Sequence, residues 1–207
     1  MAIWWITCNY GVVHGVCGLF VIVEVQEVVG ISPKDFGREL ESVVLSNLKK
    51  QYEGAVDEEL GYVSLVIEAR VDPVGKIMPR DGSTYHNCTF KLLTFIPEVQ
   101  EVVLGEVVEI TDFGCFVRVG PVDGLLHISQ ITDDFMSYDE KNNLLLGRKT
   151  GRRLSVGDDV RARIVAVSLA SGSAGKIGLT TRQPYMGKLS WVEEEKAKAV
   201  QSSVRQG

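Results

Sequence analysis

Residues 112–131 read DFGCFVRVGPVDGLLHISQI, in which two phenylalanines flank a glycine and a histidine follows the second of them after eleven positions. Side chains alternate between the two faces of a strand, so Phe113 and Phe116 would point to opposite faces of an unbroken strand. A bulge or sharp bend at Gly114 would bring both rings to one face. Alternatively, one ring belongs to the core and the other is incidental. The spacing alone leaves both interpretations open.

Runs of β-forming residues between glycines continue on both sides of this stretch. Five of them fit the strand count of a small barrel, and they cover 100–111, 113–119, 124–128, 159–169 and 176–182. A polar and basic insertion at 131–155 separates the third run from the fourth. The last segment, KLSWVEEEKAKAV at 188–200, is rich in helix-forming residues and predicts a surface helix.

The first half of the chain predicts a different unit. Three runs rich in β-forming residues have the alternation that is typical of strands, and they cover 19–29, 62–71 and 84–96. Turn signals at Asp72-Pro73 and Asp81-Gly82 lie between the second and third runs.

One helix is predicted between the first and second of these runs. Ser32-Pro33-Lys34-Asp35 supplies a capping hydroxyl, a proline at the first helical position and an acid in the first turn. Apolar residues then recur at helical spacing, at Leu40, Val43, Val44 and Leu48, before Gly54 closes the element. The order β-α-β-β-β describes a compact α+β unit that ends near Pro97.

The distribution of charge is more informative than its total. Net charge is −5 and the sequence pI is about 5.3, so the total does not suggest a nucleic-acid binder. Residues 148–182, however, hold eight Lys and Arg against two acids, a local balance of +6. Such a cluster in an acidic protein is a candidate phosphate-binding patch, although most charge runs are solvated surface.

The sequence shows no pattern typical of catalysis or metal binding. Its four cysteines and three histidines have no CxxC or other metal-ligand spacing, which favours a reducing, intracellular compartment and no structural zinc. Phosphate-cradling and nucleophile-elbow motifs are absent from it. Asp133, Asp134 and Asp139 lie in a loop-like segment, and we interpret them as solvated surface and not as metal ligands. The sequence therefore predicts no catalytic site, no metal site and no cofactor.

Ordered blocks of the second half resemble the S-one RNA-binding module of the OB-fold class. They are GEV at 105–107, FGCFV at 113–117, GLLHISQ at 124–130, VGDDVRARIV at 156–165 and KIGLT at 176–180. In that module two Phe and a His stand on one solvent face and stack on bases, while basic side chains hold phosphates, which suits single strands. The resemblance implies RNA-binding roles for Phe113, Phe116, His127, Arg118, Arg161, Arg163, Lys176 and Arg182. A structural role for His127 is the alternative.

The resemblance extends through the first half to the stalk subunits of archaeal RNA polymerase, the E-prime family, which is related to the seventh subunit of eukaryotic polymerase II. It covers about residues 19–195 and rests on stretches such as SPKDFG, YEGAVDEELGYV and TGRRLSVGD. Members of that family carry an RNP-like domain followed by an S-one domain. They form a heterodimer with a second stalk protein, the small helical F subunit of RNA polymerase. They also dock on the polymerase core and bind emerging RNA without performing the chemistry.

The resemblance implies an α+β fold class and a division of the chain. A truncated RNP-like domain is expected at 19–97, an S-one OB-fold barrel with an insertion at 98–187, and a helix and tail at 188–207. A tip loop at Gly54–Tyr62 would dock on the core, through Gly54, Asp57, Leu60 and Gly61, with a plain surface hairpin as the alternative. The strands of the first domain are expected to expose apolar surface for partners. The implied protein is cytoplasmic and not attached to a membrane.

Two rival functions are open at this point. One is a stand-alone S-one protein of translation or RNA processing, although related initiation factors place this module first in the chain and here it comes second. The other is a nuclease, which would need clustered metal-binding acids that the sequence does not hold.

Residues 1–18 lie outside the resemblance, and the chain has no charge before Glu24. Three interpretations compete: a membrane anchor, an extension packed on the first domain, or an over-long gene start upstream of initiation at Leu19. Polar residues and glycines spread through the segment disfavour the anchor. We favour initiation at Leu19, which intact-mass spectrometry of the native protein would test.

Overall fold

The structure, a computed structural model, describes residues 19–78, 82–169 and 176–204, with the backbone alone for 199–204. The predictions made for 1–18 and for a turn at Asp81 lie outside the described residues. Described residues up to Ile96 form one unit and those from Pro97 onward form a second.

The first unit is an antiparallel sheet with one helix on it. Its elements are β1 (Phe20–Ile31), α1 (Leu40–Tyr52), β2 (Val56–Asp57), β3 (Gly61–Val71), β4 (Lys76–Ile77) and β5 (Thr84–Phe95). The strand order is β1-β5-β3-β2, and β4 pairs with β5. The long central strand β5 therefore lies between β1 and β3, with Phe95 opposite both Phe20 and Tyr62, and its pairing with β3 shifts register at two places.

The helix α1 packs with the apolar face that its sequence spacing predicts. Val43, Val44 and Leu48 are buried against strand residues such as Phe90 and Leu92. The prediction for the end of the helix is also confirmed, because α1 ends at Tyr52, two residues before Gly54, which has a φ of +82°. A glycine in this left-handed conformation just after the last turn is a common way in which a helix ends.

The predicted start of that helix is wrong. Residues Pro33–Asp35 form only one turn of 3-10 helix, and Ser32 makes no side-chain capping bond. The chain then leaves the helical conformation at Phe36, whose φ and ψ are −63° and 140°, and at Gly37, whose φ is +85°. The local start signal is satisfied by this single turn, and α1 begins five residues later at Leu40.

The second unit contains the predicted five-stranded barrel. Its strands are β6 (Val102–Thr111), β7 (Gly114–Val119), β8 (Val122–His127), β12 (Asp159–Ser168) and β13 (Lys176–Thr180). The order β13-β8-β7-β6-β12 closes because β12 also pairs with β13. Inward side chains such as Val107, Cys115, Val117 and Leu126 are fully buried. The α+β class with a C-terminal barrel is therefore confirmed.

The insertion folds as a small sheet of its own. Its strands are β9 (Met136–Asp139), β10 (Leu144–Gly147) and β11 (Arg153–Ser155), in the order β11-β10-β9. After the barrel, β14 (Gly187–Lys188) pairs with β12 and leads into α2 (Leu189–Val204). The side chains of Trp191 and Val192, in the first turn of α2, are buried. Arg152 of the insertion contacts both Trp191 and Glu195.

Candidate nucleic-acid interface

Phe113 and Phe116 form one aromatic patch on the outer surface of the barrel. Cys115 and Val117 point inward and are buried, so Phe116 between them points outward. Phe113 is 44% exposed, and its ring stands perpendicular to that of Phe116 with the centroids 6.3 Å apart. Edge contact at this distance is a favourable arrangement for two rings, and it keeps the pair open to solvent.

The two rings meet for a reason that differs from the predicted bulge. Phe113 lies in the turn before β7, which begins at Gly114, and the alternation of the strand therefore does not constrain it. The pairing of β7 with β8 is regular, and the irregularity lies in β6 between Val107 and Glu109. Gly114 contributes by allowing close approach, since a Cβ there would lie 2.4 Å from the carbonyl oxygen of Leu126.

His127 lies opposite Gly114 at the end of β8, beside the aromatic patch. Its Nδ1 accepts the backbone N–H of Ser129 at 3.2 Å and lies 2.8 Å from the Ser129 hydroxyl. Because a backbone N–H can only donate, Nδ1 is unprotonated in this arrangement and the proton of the neutral ring is on Nε2. His127 is exposed, so the ring both caps the following 3-10 turn and has a face and a donor available to a ligand.

Two of the predicted basic residues are paired with acids. Arg118 donates from Nε and Nη2 to the two carboxylate oxygens of Asp123, at 3.0 and 3.3 Å. Arg182 forms a salt bridge of 2.6 Å with Asp133 and also donates to the carbonyl oxygen of Ser129. Asp123 was not identified from the sequence as the partner of Arg118. The short hairpin between β7 and β8 could have indicated it, because the hairpin places the two residues opposite each other.

The other three basic residues form no salt bridge with any described residue, but the barrel separates them. Ile177 of β13 pairs with Gly124 of β8, so Lys176 lies beside Asp123. Asp123 in turn pairs with Arg118 of β7, and the three residues therefore form a row across neighbouring strands. Arg163 and Arg161 pair with Val102 and Leu104 at the start of β6, whereas Phe116 pairs with Glu109. Leu104 and Val102 lie five and seven residues from Glu109 along β6. At about 3.3 Å per residue, Arg161 and Arg163 are therefore displaced from Phe116 by roughly 16 to 23 Å in the direction of this strand.

Arg163 is held at the end of β6 by the protein itself. Its Nη1 donates to the carbonyl oxygen of Gln100 at 3.0 Å, and its Nε is buried without a partner among the described residues. The structure therefore brings Phe113, Phe116, His127, Arg118 and Lys176 to one side, with Arg182 next to Ser129, and it leaves Arg161 and Arg163 apart from them.

The predicted tip loop joins α1 to β3, and its residues differ in accessibility. Gly54 is exposed with open space around it, and Asp57 accepts the backbone N–H groups of Glu59 and Leu60 at 2.9 and 3.1 Å. The side chain of Leu60 is only 6% exposed and belongs to the hydrophobic core of the first unit, so little of it is accessible to a partner. Gly61 is also enclosed, since a Cβ there would lie 2.5 Å from the carbonyl oxygen of Phe95.

The sheet of the first unit has an apolar row on the face away from α1. Ile22 pairs with Leu93, which pairs with Leu65 on its other side. Ile22 and Leu65 are each 43% exposed, as is Ile67 nearby. The strands of the first domain therefore expose apolar surface in the isolated chain.

The acidic residues of the insertion are engaged with neighbouring groups. Asp133 pairs with Arg182, Asp139 accepts bonds from the backbone of Lys141 and the amide of Asn142, and Asp134 accepts the backbone N–H groups of Lys149 and Thr150. Among the described residues, no group of three or more His, Cys, Asp and Glu could hold a metal ion. No helix in the described part of the chain is long and apolar enough to cross a membrane.

The closed barrel and its aromatic face place the chain in the class of S1-type OB-fold proteins. Residues 96–175 match the family model described as "S1 RNA binding domain". Residues 26–82 match a second one, described as "SHS2 domain found in N terminus of Rpb7p/Rpc25p/MJ0397". The two matches fall on different units of the structure.

Whole-length relatives define the particular family. The chain is 40% identical over 179 residues to the DNA-directed RNA polymerase subunit Rpo7 of Saccharolobus shibatae, a match that covers 86% of this chain and 99% of the relative. It is 38% identical to Rpo7 of Sulfolobus acidocaldarius, over 87% of this chain and 99% of that protein. The match to the RNA polymerase II subunit RPB7 of Saccharomyces cerevisiae has 23% identity, over 83% of this chain and 100% of that protein. The chain belongs to the Rpo7 family of DNA-directed RNA polymerase subunits.

Proposed function

We propose that this chain is a non-catalytic stalk subunit of a cytoplasmic DNA-dependent RNA polymerase. It docks on the core enzyme, pairs with the small helical F subunit and binds nascent single-stranded RNA during initiation and elongation. The relation to Rpo7 over 99% of the relative's length carries the proposal. A stand-alone S1 protein would be expected to share the barrel and not the first unit as well. We assign docking to 19–97, RNA binding to 98–187, and the helix and tail to 188–207.

RNA binding is assigned to the aromatic patch and the basic residues around it. Phe113, Phe116 and His127 offer ring faces on which successive bases can stack, and such stacking contributes roughly 1–3 kcal/mol per base for any base. Lys176 adds a positive charge without a salt bridge to any described residue, on the row of Arg118. We assign more distant phosphate contacts on the same RNA molecule to Arg182, Arg161 and Arg163.

Docking on the core is assigned to the exposed part of the tip loop. Gly54, Glu58 and Glu59 are exposed there. Asp57 holds the turn at 57–60, because its carboxylate accepts the backbone N–H groups of Glu59 and Leu60. The backbone of Gly61 continues this loop, while the buried Leu60 anchors it. Three acids in sequence make the tip negative, so we expect it to bind a basic groove on the core.

Pairing with the F subunit is assigned to the apolar row of the first sheet. Ile22, Leu93 and Leu65 lie side by side on three neighbouring strands, and a partner that buried them would remove apolar area from water at about 25 cal/mol per Å². Ile22→Glu should then weaken the heterodimer, which gel filtration of the two purified proteins measures.

Co-purification from a native lysate tests the proposal. A tagged chain should retain the large polymerase subunits, and recovery of ribosomes or RNA-degrading particles alone would refute the assignment. The double variant Glu58→Lys/Glu59→Lys should lose the polymerase and keep its RNA affinity. Reversing two exposed acids at the start of α1, with Glu39→Lys/Glu41→Lys, is the matched control and should retain the polymerase.

A further inference from the structure

The insertion presents an exposed aromatic ring that lies outside the barrel face, by which we mean the surface formed by Phe113, Phe116 and His127. Phe135 is 63% exposed just before β9, more than any other phenylalanine among the described residues. The guanidinium carbon of Arg148, the residue directly after β10, lies 4.5 Å from the centroid of the Phe135 ring. A guanidinium at this distance is attracted to the ring electrostatically. One face of the ring is thus supported by the arginine, and the exposed surface leaves room for a second planar group.

The backbone around this pair is fixed by one carboxylate. Asp134 accepts the backbone N–H groups of Phe135, Lys149 and Thr150 and the hydroxyl of Thr150, all at 2.7–2.9 Å at the closest oxygen. The N–H of Arg148 donates to the carbonyl oxygen of Phe135 at 3.0 Å. These bonds to its ionised form hold the pKa of Asp134 below its usual value, with the backbone N–H of Thr150 as the first cause. The exposed ring therefore stands on an ordered support.

Residues 148–153, which include Arg148, are rich in basic residues. Arg148, Lys149 and Arg153 are exposed and form no salt bridge with any described residue. Arg152 is the exception, since it pairs with Glu195. The carboxylate of Asp134 is occupied by backbone donors and offers little to an incoming cation. An exposed aromatic ring with unneutralised basic neighbours suits a single-stranded polyanion whose bases stack.

The ring lies at the end of a short path from the barrel face. Eight positions separate His127 from Phe135, and Arg182 connects the two ends of that segment. Its guanidinium donates both to the carbonyl oxygen of Ser129, beside His127, and to the carboxylate of Asp133, two residues before Phe135. An OB fold covers about 4–16 nucleotides, whereas three rings on the barrel can stack only the first few bases. Nucleotides beyond them need further contacts.

We propose that Phe135 and Arg148 form a second base-stacking position for single-stranded RNA, on the inserted sheet and outside the barrel face. The inference rests on the proposed function, because it extends the path of the same RNA. Phe135 takes one base on its free face, and Arg148 holds the ring and contacts a neighbouring phosphate. Long RNAs should therefore use both positions, and short ones the barrel alone.

Fluorescence anisotropy of the full-length chain with oligouridylates of four and sixteen nucleotides tests this. Phe135→Ala should weaken binding of the sixteen-mer about fivefold or more, at 1–3 kcal/mol per lost stack, and change that of the four-mer less than twofold. Phe135→Leu keeps an apolar side chain without a stacking face and should behave like the alanine variant, whereas Phe135→Tyr should bind normally. Phe36→Ala removes a comparably exposed ring from the first unit and should change neither affinity.

The outcomes separate the two proposals. If Phe116→Ala weakens both oligonucleotides and Phe135→Ala weakens neither, the barrel face stands and the second position is refuted. If Phe135→Ala instead keeps its RNA affinity and loses the polymerase in co-purification, the ring contacts protein and the inference is wrong. A wild-type chain that binds no RNA would overturn both. Hydrogen exchange of β9 and β10 checks that each variant keeps the inserted sheet.

Discussion

Gly114→Ala should loosen the β7–β8 hairpin and separate the groups that face RNA. A Cβ at this position would lie 2.4 Å from the oxygen of Leu126, 2.9 Å from Cα of His127 and 3.1 Å from the nitrogen of Ile128. Ordinary contact begins at 3.4 Å, and all three atoms belong to the backbone, so a strand has to move by about 1 Å. The φ of Gly114, +156°, adds strain for any residue with a side chain.

The magnitude follows from what such a shift breaks. The N–H of Ile128 donates to the carbonyl oxygen of Phe113 at 2.8 Å, and losing that bond costs about 0.5–1.5 kcal/mol. Overpacking adds about 1–3 kcal/mol, so we expect a total of roughly 1.5–4.5 kcal/mol. Phe113 and His127 also move apart, and RNA affinity should fall more than fivefold even where the barrel stays folded.

Hydrogen exchange in increasing urea measures this in the full-length chain. Peptides that cover 114–128 should exchange at lower urea in Gly114→Ala than in wild type, while peptides of the first unit are unchanged. Gly178→Ala is the matched control on β13, since the nearest atom to a Cβ there is the methyl carbon of Ala166 at 3.3 Å and the nearest backbone atom is the nitrogen of Ala166 at 3.8 Å. If the two variants lose the same stability, the argument from close backbone approach is wrong.

Three further predictions concern charge, the first core and a buried thiol. Lys176→Ala should weaken RNA binding and reduce the slope of log affinity against log salt concentration by about one unit. Arg118→Ala should have a smaller effect on both, because Asp123 already neutralises the charge of Arg118. RNA titrations at several salt concentrations measure both effects. Phe90→Ala should destabilise the first unit by about 3–5 kcal/mol and leave RNA affinity intact, and exchange at β5 that matches wild type would contradict this. Burial raises the pKa of the Cys115 thiol from 9.0 to about 12, so the folded state gains stability below pH 9 and loses it as pH rises towards 12. The barrel should lose about 2 kcal/mol between pH 8 and pH 10.5, a loss that Cys115→Ala removes in urea titrations at the two pH values.

The sequence predicts the elements better than their pairings. The periodicity of Val43, Val44 and Leu48 identifies the buried face of α1, because burial depends on a pattern within the segment itself. The start of α1 was misplaced because the signal at Ser32 is equally satisfied by one 3-10 turn, and Gly37 then redirects the chain. A local capping signal does not reveal how many turns follow it.

The candidate site shows the same limit. The block FGCFV identifies the aromatic patch, since those residues are close in sequence and their positions follow from one turn. Which arginines are neutralised depends on register, as the pair Arg118–Asp123 illustrates, and which basic residues lie near Phe116 depends on how the barrel closes. Phe135 was missed because an aromatic residue in a polar insertion gives no periodic signal, and its support comes from Asp134 and Arg148 through folding of the inserted sheet.

The order of strands in the first sheet also determines when that sheet can form during synthesis. Among the described strands β1 pairs with β5 alone, in pairs that run from Phe20–Phe95 to Ile31–Thr84 and so span 53 to 75 residues. At about 5–20 residues per second, the ribosome adds the intervening chain in roughly 3–15 s. During that interval β1, with its many valines, has no partner strand and offers a template for aggregation. The strands β6 and β7 each pair with the next strand in the chain, so this part of the C-terminal barrel begins to form almost as soon as it emerges.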